Sequence, residues 1–138
     1  RQDMAFDINE SVSLTGDSGP YLLYIIARIN SVLKKSKVKS TKLKVLPENI
    51  EPAEKKLLLH LANFSEVTKS SAEELDPSKI AKYLFELAQM FNSFYENCPV
   101  LKAENDEVRN FRLQLIKNVG QVMEKGIHLL GIEIVDEM

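Results

Sequence analysis

Cysteine is nearly missing from this 138-residue chain, with Cys98 the one example. No internal disulfide can form, which points to a reducing compartment. One thiol and two distant histidines, His60 and His128, cannot by themselves make a local zinc site. No apolar run approaches about twenty residues, so a membrane-spanning helix is not expected. The opening Arg1-Gln2-Asp3-Met4-Ala5-Phe6-Asp7 has no apolar stretch of the signal-peptide kind. A glycine-rich phosphate loop, a nucleophile elbow and a metal motif are all absent. The first residue is Arg1 rather than methionine, so a piece of a longer protein is expected.

What is present suits one globular domain with its own core, at 44% hydrophobic and 28% charged residues. The net charge of −2 hides a strong asymmetry. Residues 28 to 56 carry Arg28 and eight lysines against three glutamates, a net of +6; the remainder carries −8. Such a bipolar molecule can turn a basic flank toward a phosphate backbone.

Five helices and no convincing strand system are expected. Gly and Pro number five each, and Gly19, Pro20, Pro52, Pro77, Pro99 and Gly131 fall where helices begin or end. Asp17-Ser18-Gly19-Pro20 offers a capping side chain and a first-turn proline for a helix running to about Lys35. Residues 36 to 50 read as a lysine-rich loop, with a short extended piece at Val38 and Leu43 to Leu46. Pro52 opens a second helix with Leu57, Leu58, Leu61 and Phe64 on its apolar side. Ser65 is placed to cap a short third helix through Ser71. Asp76-Pro77 starts a fourth, ending near Asn97 before Pro99. Its stripe is Ile80, Leu84, Leu87, Phe91 and Phe94, the spacing of one buried face. Asn105 caps the fifth, which carries Phe111, Leu115, Val119, Met123 and Ile127 and runs roughly 35 Å to a stop at Gly131.

On the first helix, Leu22, Ile25, Ile26, Ile29 and Leu33 share one broad arc, the core face. Tyr24, Arg28, Ser31 and Lys35 fall about 180–240° away from Leu22, at spacings of four, three and four. An aromatic face, a guanidinium, a hydroxyl and an ammonium in one ridge can stack an unpaired base and hold phosphate. The plainer reading packs Tyr24 on a neighbouring domain and gives Arg28 an ordinary salt bridge. Lys34, Lys35, Lys37, Lys39, Lys42 and Lys44 include no acid; they attract RNA at long range or simply form a solvated loop. Tyr95 sits at the edge of the fourth helix's stripe, with a ring that can be part buried and part available. Phe85 lies opposite that stripe, exposed or covered from outside its own helix. His60 and His128, lone among leucines, read as rim or core residues.

Gly16-Asp17-Ser18-Gly19-Pro20-Tyr21-Leu22-Leu23-Tyr24 through Arg28 resembles the G-D-T-G-P-Y-L-Q-Y-x-x-x-R entry of the C-terminal domain of arginyl-tRNA synthetases. Pro52-Ala53-Glu54 with Leu57 to Leu61, Tyr83 to Ala88 with Phe91-Asn92-Ser93-Phe94-Tyr95, Arg112 to Leu115, and the closing Leu129-Leu130-Gly131-Ile132 to Met138 continue the series. The resemblance covers nearly the whole chain and implies an all-α anticodon-binding helix bundle of the DALR type. It implies that residues 19–138 are this domain and that 1–18 lead in from an upstream catalytic domain. By resemblance, Tyr24, Arg28, Tyr95 and Met138 are anticodon contacts, beside which Ser31 and Lys35 complete the RNA-binding ridge. Leu23 departs from the family's glutamine, Ile26 from a common histidine, and Pro99 from an aromatic in some members, leaving stacking to Tyr95.

The function expected is therefore binding of the anticodon arm of arginine tRNA, with aminoacylation carried out by a catalytic domain in cis. No catalytic residue, cofactor or metal is expected in this segment. ATP with magnesium belongs to the parent's catalytic domain, and the parent is expected to be cytoplasmic and monomeric. A second reading is a helix-bundle protein-interaction module docking through Phe85 and the first helix, without RNA. A third, a hydrolase using Cys98, has no supporting motif.

Overall fold

The computed structural model describes residues 7–12, 18–36 and 47–134, which form helices and their connections with no strand among them. In chain order the elements are α1 (Ile8–Ser11), α2 (Gly19–Ser36), α3 (Pro52–Ala62), α4 (Phe64–Glu74), α5 (Ser78–Asn97) and α6 (Asp106–Leu129). The one-turn α1 was not anticipated from the sequence. Val38 and Leu43 to Leu46, read as a short extended piece, lie outside the described residues.

Local chemistry explains where these helices start. Ser18 Oγ accepts from the Tyr21 N–H at 3.3 Å, capping α2 one residue before Gly19-Pro20. Asp76 Oδ1 accepts from the Ser78 hydroxyl and amide at 2.6 and 3.0 Å. Those two bonds hold the Asp76 carboxyl below its usual range. Asn105 Oδ1 accepts from the Val108 N–H at 2.8 Å to begin α6.

The ends are equally specific. At α6, Gly131 takes φ +73°, and the Ile132 N–H reaches back to the Ile127 carbonyl at 3.2 Å. This is the left-handed closure that glycine adopts without strain. The third predicted helix needs correction, since α4 runs from Phe64 to Glu74 rather than from a Ser65 cap to Ser71. It is longer because Leu75, a non-glycine at φ 53°, makes the same kind of closure, with the Asp76 N–H bonded to the Ser71 carbonyl at 2.9 Å. The Ser71 hydroxyl also donates to the Asp76 carbonyl at 2.7 Å. No glycine marks that turn, so the sequence carries no stop signal there.

Helix α5 is the hub, packed against α2, α3, α4 and α6. Its stripe of Ile80, Leu84, Leu87, Phe91 and Phe94 is buried, as are Leu22, Ile25, Ile26 and Ile29 of α2 and Phe111, Leu115, Val119, Met123 and Ile127 of α6. The α5–α6 approach is close at Gly126, where an added Cβ would stand 2.5 Å from Leu84 Cδ2. Helices α2 and α5 run in the same direction along their seam. Tyr21 stacks on Phe85 with centroids 6.2 Å apart, and seven residues further along Arg28 meets Asn92.

The α3–α5 contact contains a buried phenol. Tyr83 is 3% exposed; its hydroxyl donates to the His60 carbonyl at 2.8 Å, and its ring stacks on the His60 ring at 4.2 Å. The His60 Nε2–H donates in return to the Tyr83 carbonyl at 3.2 Å. Burial pushes the Tyr83 hydroxyl up from 10.0 to about 12. The folded state therefore keeps a proton that the unfolded chain releases first. This stabilisation is complete below pH 10 and is lost as pH rises through 12, about 3 kcal/mol in all. Urea titrations of the parent and Tyr83→Phe at pH 8 and pH 11 check this. The parent should lose more stability between the two, so that the gap between the proteins narrows.

Candidate nucleic-acid interface

The ridge read from α2 is present, although its members differ in what they touch. Tyr24 is 41% exposed, and Ser31 and Lys35 are exposed beside it on the same helix. Arg28 is half-buried. Its guanidinium carbon stands 4.8 Å from the centre of the Tyr95 ring, and Nη1 donates to Asn92 Oδ1 at 3.2 Å. The arginine thus leans across the seam onto α5 instead of projecting with its neighbours. A cation over a tyrosine face is attracted by the ring quadrupole.

Tyr95 is half-buried at the end of α5, tilted against Phe91 with centroids 5.9 Å apart. The structure accordingly brings Arg28 and Tyr95 into contact, with Tyr24 one turn before Arg28 on α2. Met138 lies outside the described residues, as do Lys37, Lys39, Lys42 and Lys44 of the lysine-rich stretch. Pro99 is exposed, and its carbonyl accepts from Arg112 Nη1 at 2.8 Å.

Sequence reasoning missed Asn92 and the role of Tyr21. Asn92 Nδ2 donates to the Tyr21 hydroxyl at 3.0 Å while its oxygen takes Arg28. The available signal was a register: Tyr21 and Arg28 are seven apart on α2, and Phe85 and Asn92 are seven apart on α5. Two turns of helix bring such residues back to one face, but nothing local says which two faces meet.

The remaining candidates fall away on their surroundings. Phe85 is half-buried and its ring is taken by Tyr21, and the apolar face of α2 is inside the bundle. The docking surface required by the protein-interaction reading is therefore already occupied. Cys98 is buried, and burial, with the nearby Glu54 charge, pushes its thiol up and away from the reactive thiolate. Among the described residues, no group of three or more His, Cys, Asp and Glu side chains is arranged to hold a metal, and no helix is long and apolar enough to cross a membrane. A cleft of about 420 Å³ opens between α3, α4 and α5. Its Lys79 and Lys82 face Glu66 and Glu86, so it favours neither sign of charge.

Residues 22–138 match the family model described as the DALR anticodon binding domain. The chain is 40% identical over 136 residues to an arginine–tRNA ligase of Thermobifida fusca, a match covering 99% of this chain and 24% of that protein. An arginine–tRNA ligase of Proteus mirabilis is 38% identical over 136 residues, again with 99% and 24% coverage. Among solved structures, the arginyl-tRNA synthetase of Thermus thermophilus superposes with a TM-score of 0.87 at 33% identity, over 96% of this chain and 23% of that one. The Plasmodium falciparum arginyl-tRNA synthetase gives 0.82 at 25% identity, over 99% and 24%. The chain spans about a quarter of the length of the relatives it matches.

Proposed function

The chain belongs to the family of DALR anticodon binding domains, and from that premise we propose that it binds the anticodon arm of arginine tRNA on behalf of a parent arginine–tRNA ligase. The observation that carries the reading is the Arg28–Tyr95 pair at the α2–α5 seam, flanked by Tyr24, Ser31 and Lys35. Unpaired bases are recognised by stacking on aromatic and guanidinium planes, and cations hold the adjoining phosphates. Tyr95 and Arg28 supply the planes, Tyr24 a second exposed ring, and Lys35 a charge within reach of the backbone. Met138 is assigned to the same surface on family resemblance.

The contribution of this bundle is binding and orientation, which brings the acceptor end of the tRNA to a catalytic domain in cis. Residues 1–18 serve as the connection to that domain. ATP and magnesium are used in that domain, in a cytoplasmic and monomeric parent.

A titration of the chain with arginine tRNA, and with the same tRNA carrying a foreign anticodon, tests the proposal at two salt concentrations. Binding should depend on the anticodon and weaken with salt, with a log–log slope of about −0.7 per single-strand phosphate contacted. Equal affinity for both tRNAs, or no binding at low salt, refutes it.

A further inference from the structure

We infer that Asn92 is a positioning residue: it locks Arg28 against Tyr95 and so builds the stacking shelf before any RNA arrives. The RNA part of this inference rests on the anticodon-binding reading; the locking of Arg28 does not.

A guanidinium donates and never accepts, so the Asn92 side chain must turn its oxygen toward Arg28. That orientation sends the Asn92 amino group toward Tyr21, where the phenol oxygen accepts at 3.0 Å. The amide cannot flip without breaking both bonds. Tyr21 is itself steadied, because its ring lies parallel to Phe85 across the same seam. A relay therefore runs from Phe85 through Tyr21 and Asn92 to Arg28, and ends with the cation 4.8 Å from the Tyr95 centroid. An arginine left free would have to be ordered during RNA binding, and that ordering weakens affinity. Here it is ordered in advance by a neutral residue, so the full positive charge stays available to the ligand. A carboxylate at position 92 would hold the guanidinium equally well and cancel that charge.

The experiment uses the 138-residue chain and two independent readouts. In the first, without RNA, the side-chain resonances of Arg28 are followed by NMR. The Tyr95 ring current should displace them in the parent, and Asn92→Leu should return them toward free-arginine values. Tyr21→Phe, which keeps the ring on Phe85 and removes the accepting oxygen, should move them part of the way. In the second, the arginine-tRNA anticodon stem-loop is titrated with each variant. Asn92→Leu should weaken binding about 3- to 10-fold with an unchanged salt slope, because Arg28 keeps its charge. In an Arg28→Ala background the same substitution should have no further effect, because Asn92 acts through Arg28.

Undisturbed Arg28 resonances in both variants overturn the inference. So does a loss from Asn92→Leu that adds in full to that of Arg28→Ala, since Asn92 would then be acting by another route. If the resonances move as expected and no protein binds the stem-loop, Asn92 still positions Arg28 and the anticodon-binding reading is what fails.

Discussion

Replacing Glu54 with alanine will destabilise the folded chain by about 3–5 kcal/mol, read as a lowered urea midpoint at unchanged m-value. Glu54 is 1% exposed and Arg112 is 8% exposed, so this pair is out of water. Glu54 Oε1 accepts from Arg112 Nε at 2.5 Å, and Oε2 accepts from the Glu51 N–H at the start of α3 at 2.8 Å. Arg112 Nη1 also donates to the Pro99 carbonyl at 2.8 Å. Removing the carboxylate strands a buried cation and leaves one orphan amide at the α3 terminus. The cost comes from the partner left behind rather than from any large net benefit of the pair itself. The double variant Glu54→Leu/Arg112→Met should therefore recover most of the loss, and single-variant effects should be strongly non-additive. A Glu54→Ala variant within 1 kcal/mol of the parent would contradict this account. The site is affected too, because Arg112 anchors the residue that follows Cys98, just beyond the last turn of α5, where Tyr95 sits.

Much of this architecture was readable from local pattern. The Asn105 cap, the Gly131 stop and the stripe from Ile80 to Phe94 each depend on residues within a few positions of one another. The end of α4 was not readable, because Leu75 performs there a task usually left to glycine and stands 87% exposed while doing so. The Glu54–Arg112 pair links residues 58 apart, and no periodicity reports a partner at that range.

The site divides along the same line. Helical spacing placed Tyr24, Arg28, Ser31 and Lys35 on one ridge, which the exposure of Tyr24, Ser31 and Lys35 supports. Spacing could not say that Arg28 turns toward α5, since that depends on which face of α5 lies opposite. Once Phe85 is seen against Tyr21, the same register puts Asn92 beside Arg28, and Tyr95 follows one turn later. Tertiary pairing thus lays a solvent-facing cation onto the face of the Tyr95 ring.

Under the proposed anticodon binding, that stacked pair makes Tyr95 the position where a single truncation should damage RNA binding most. Tyr95→Ala removes the stacking ring and also the surface that holds Arg28 in place. A lost base stack is worth about 1–3 kcal/mol, so affinity for the arginine-tRNA anticodon stem-loop should fall about 5- to 150-fold. Tyr95→Phe keeps the ring and should lose little, which separates stacking from any bond made by the hydroxyl. Tyr95→Leu fills space against Phe91 and should bind as poorly as alanine while folding better, which separates stacking from packing. The salt slope gives a further check. Removing a ring leaves the count of phosphate contacts unchanged, whereas Arg28→Ala should reduce the slope if its cation meets the backbone. In the arginine–tRNA ligase proposed as the parent, Tyr95→Ala should raise the tRNA concentration needed for aminoacylation while leaving ATP and arginine affinity unaltered. Leucine binding as well as phenylalanine at this position would mean that apolar bulk suffices and that no base stacks on Tyr95.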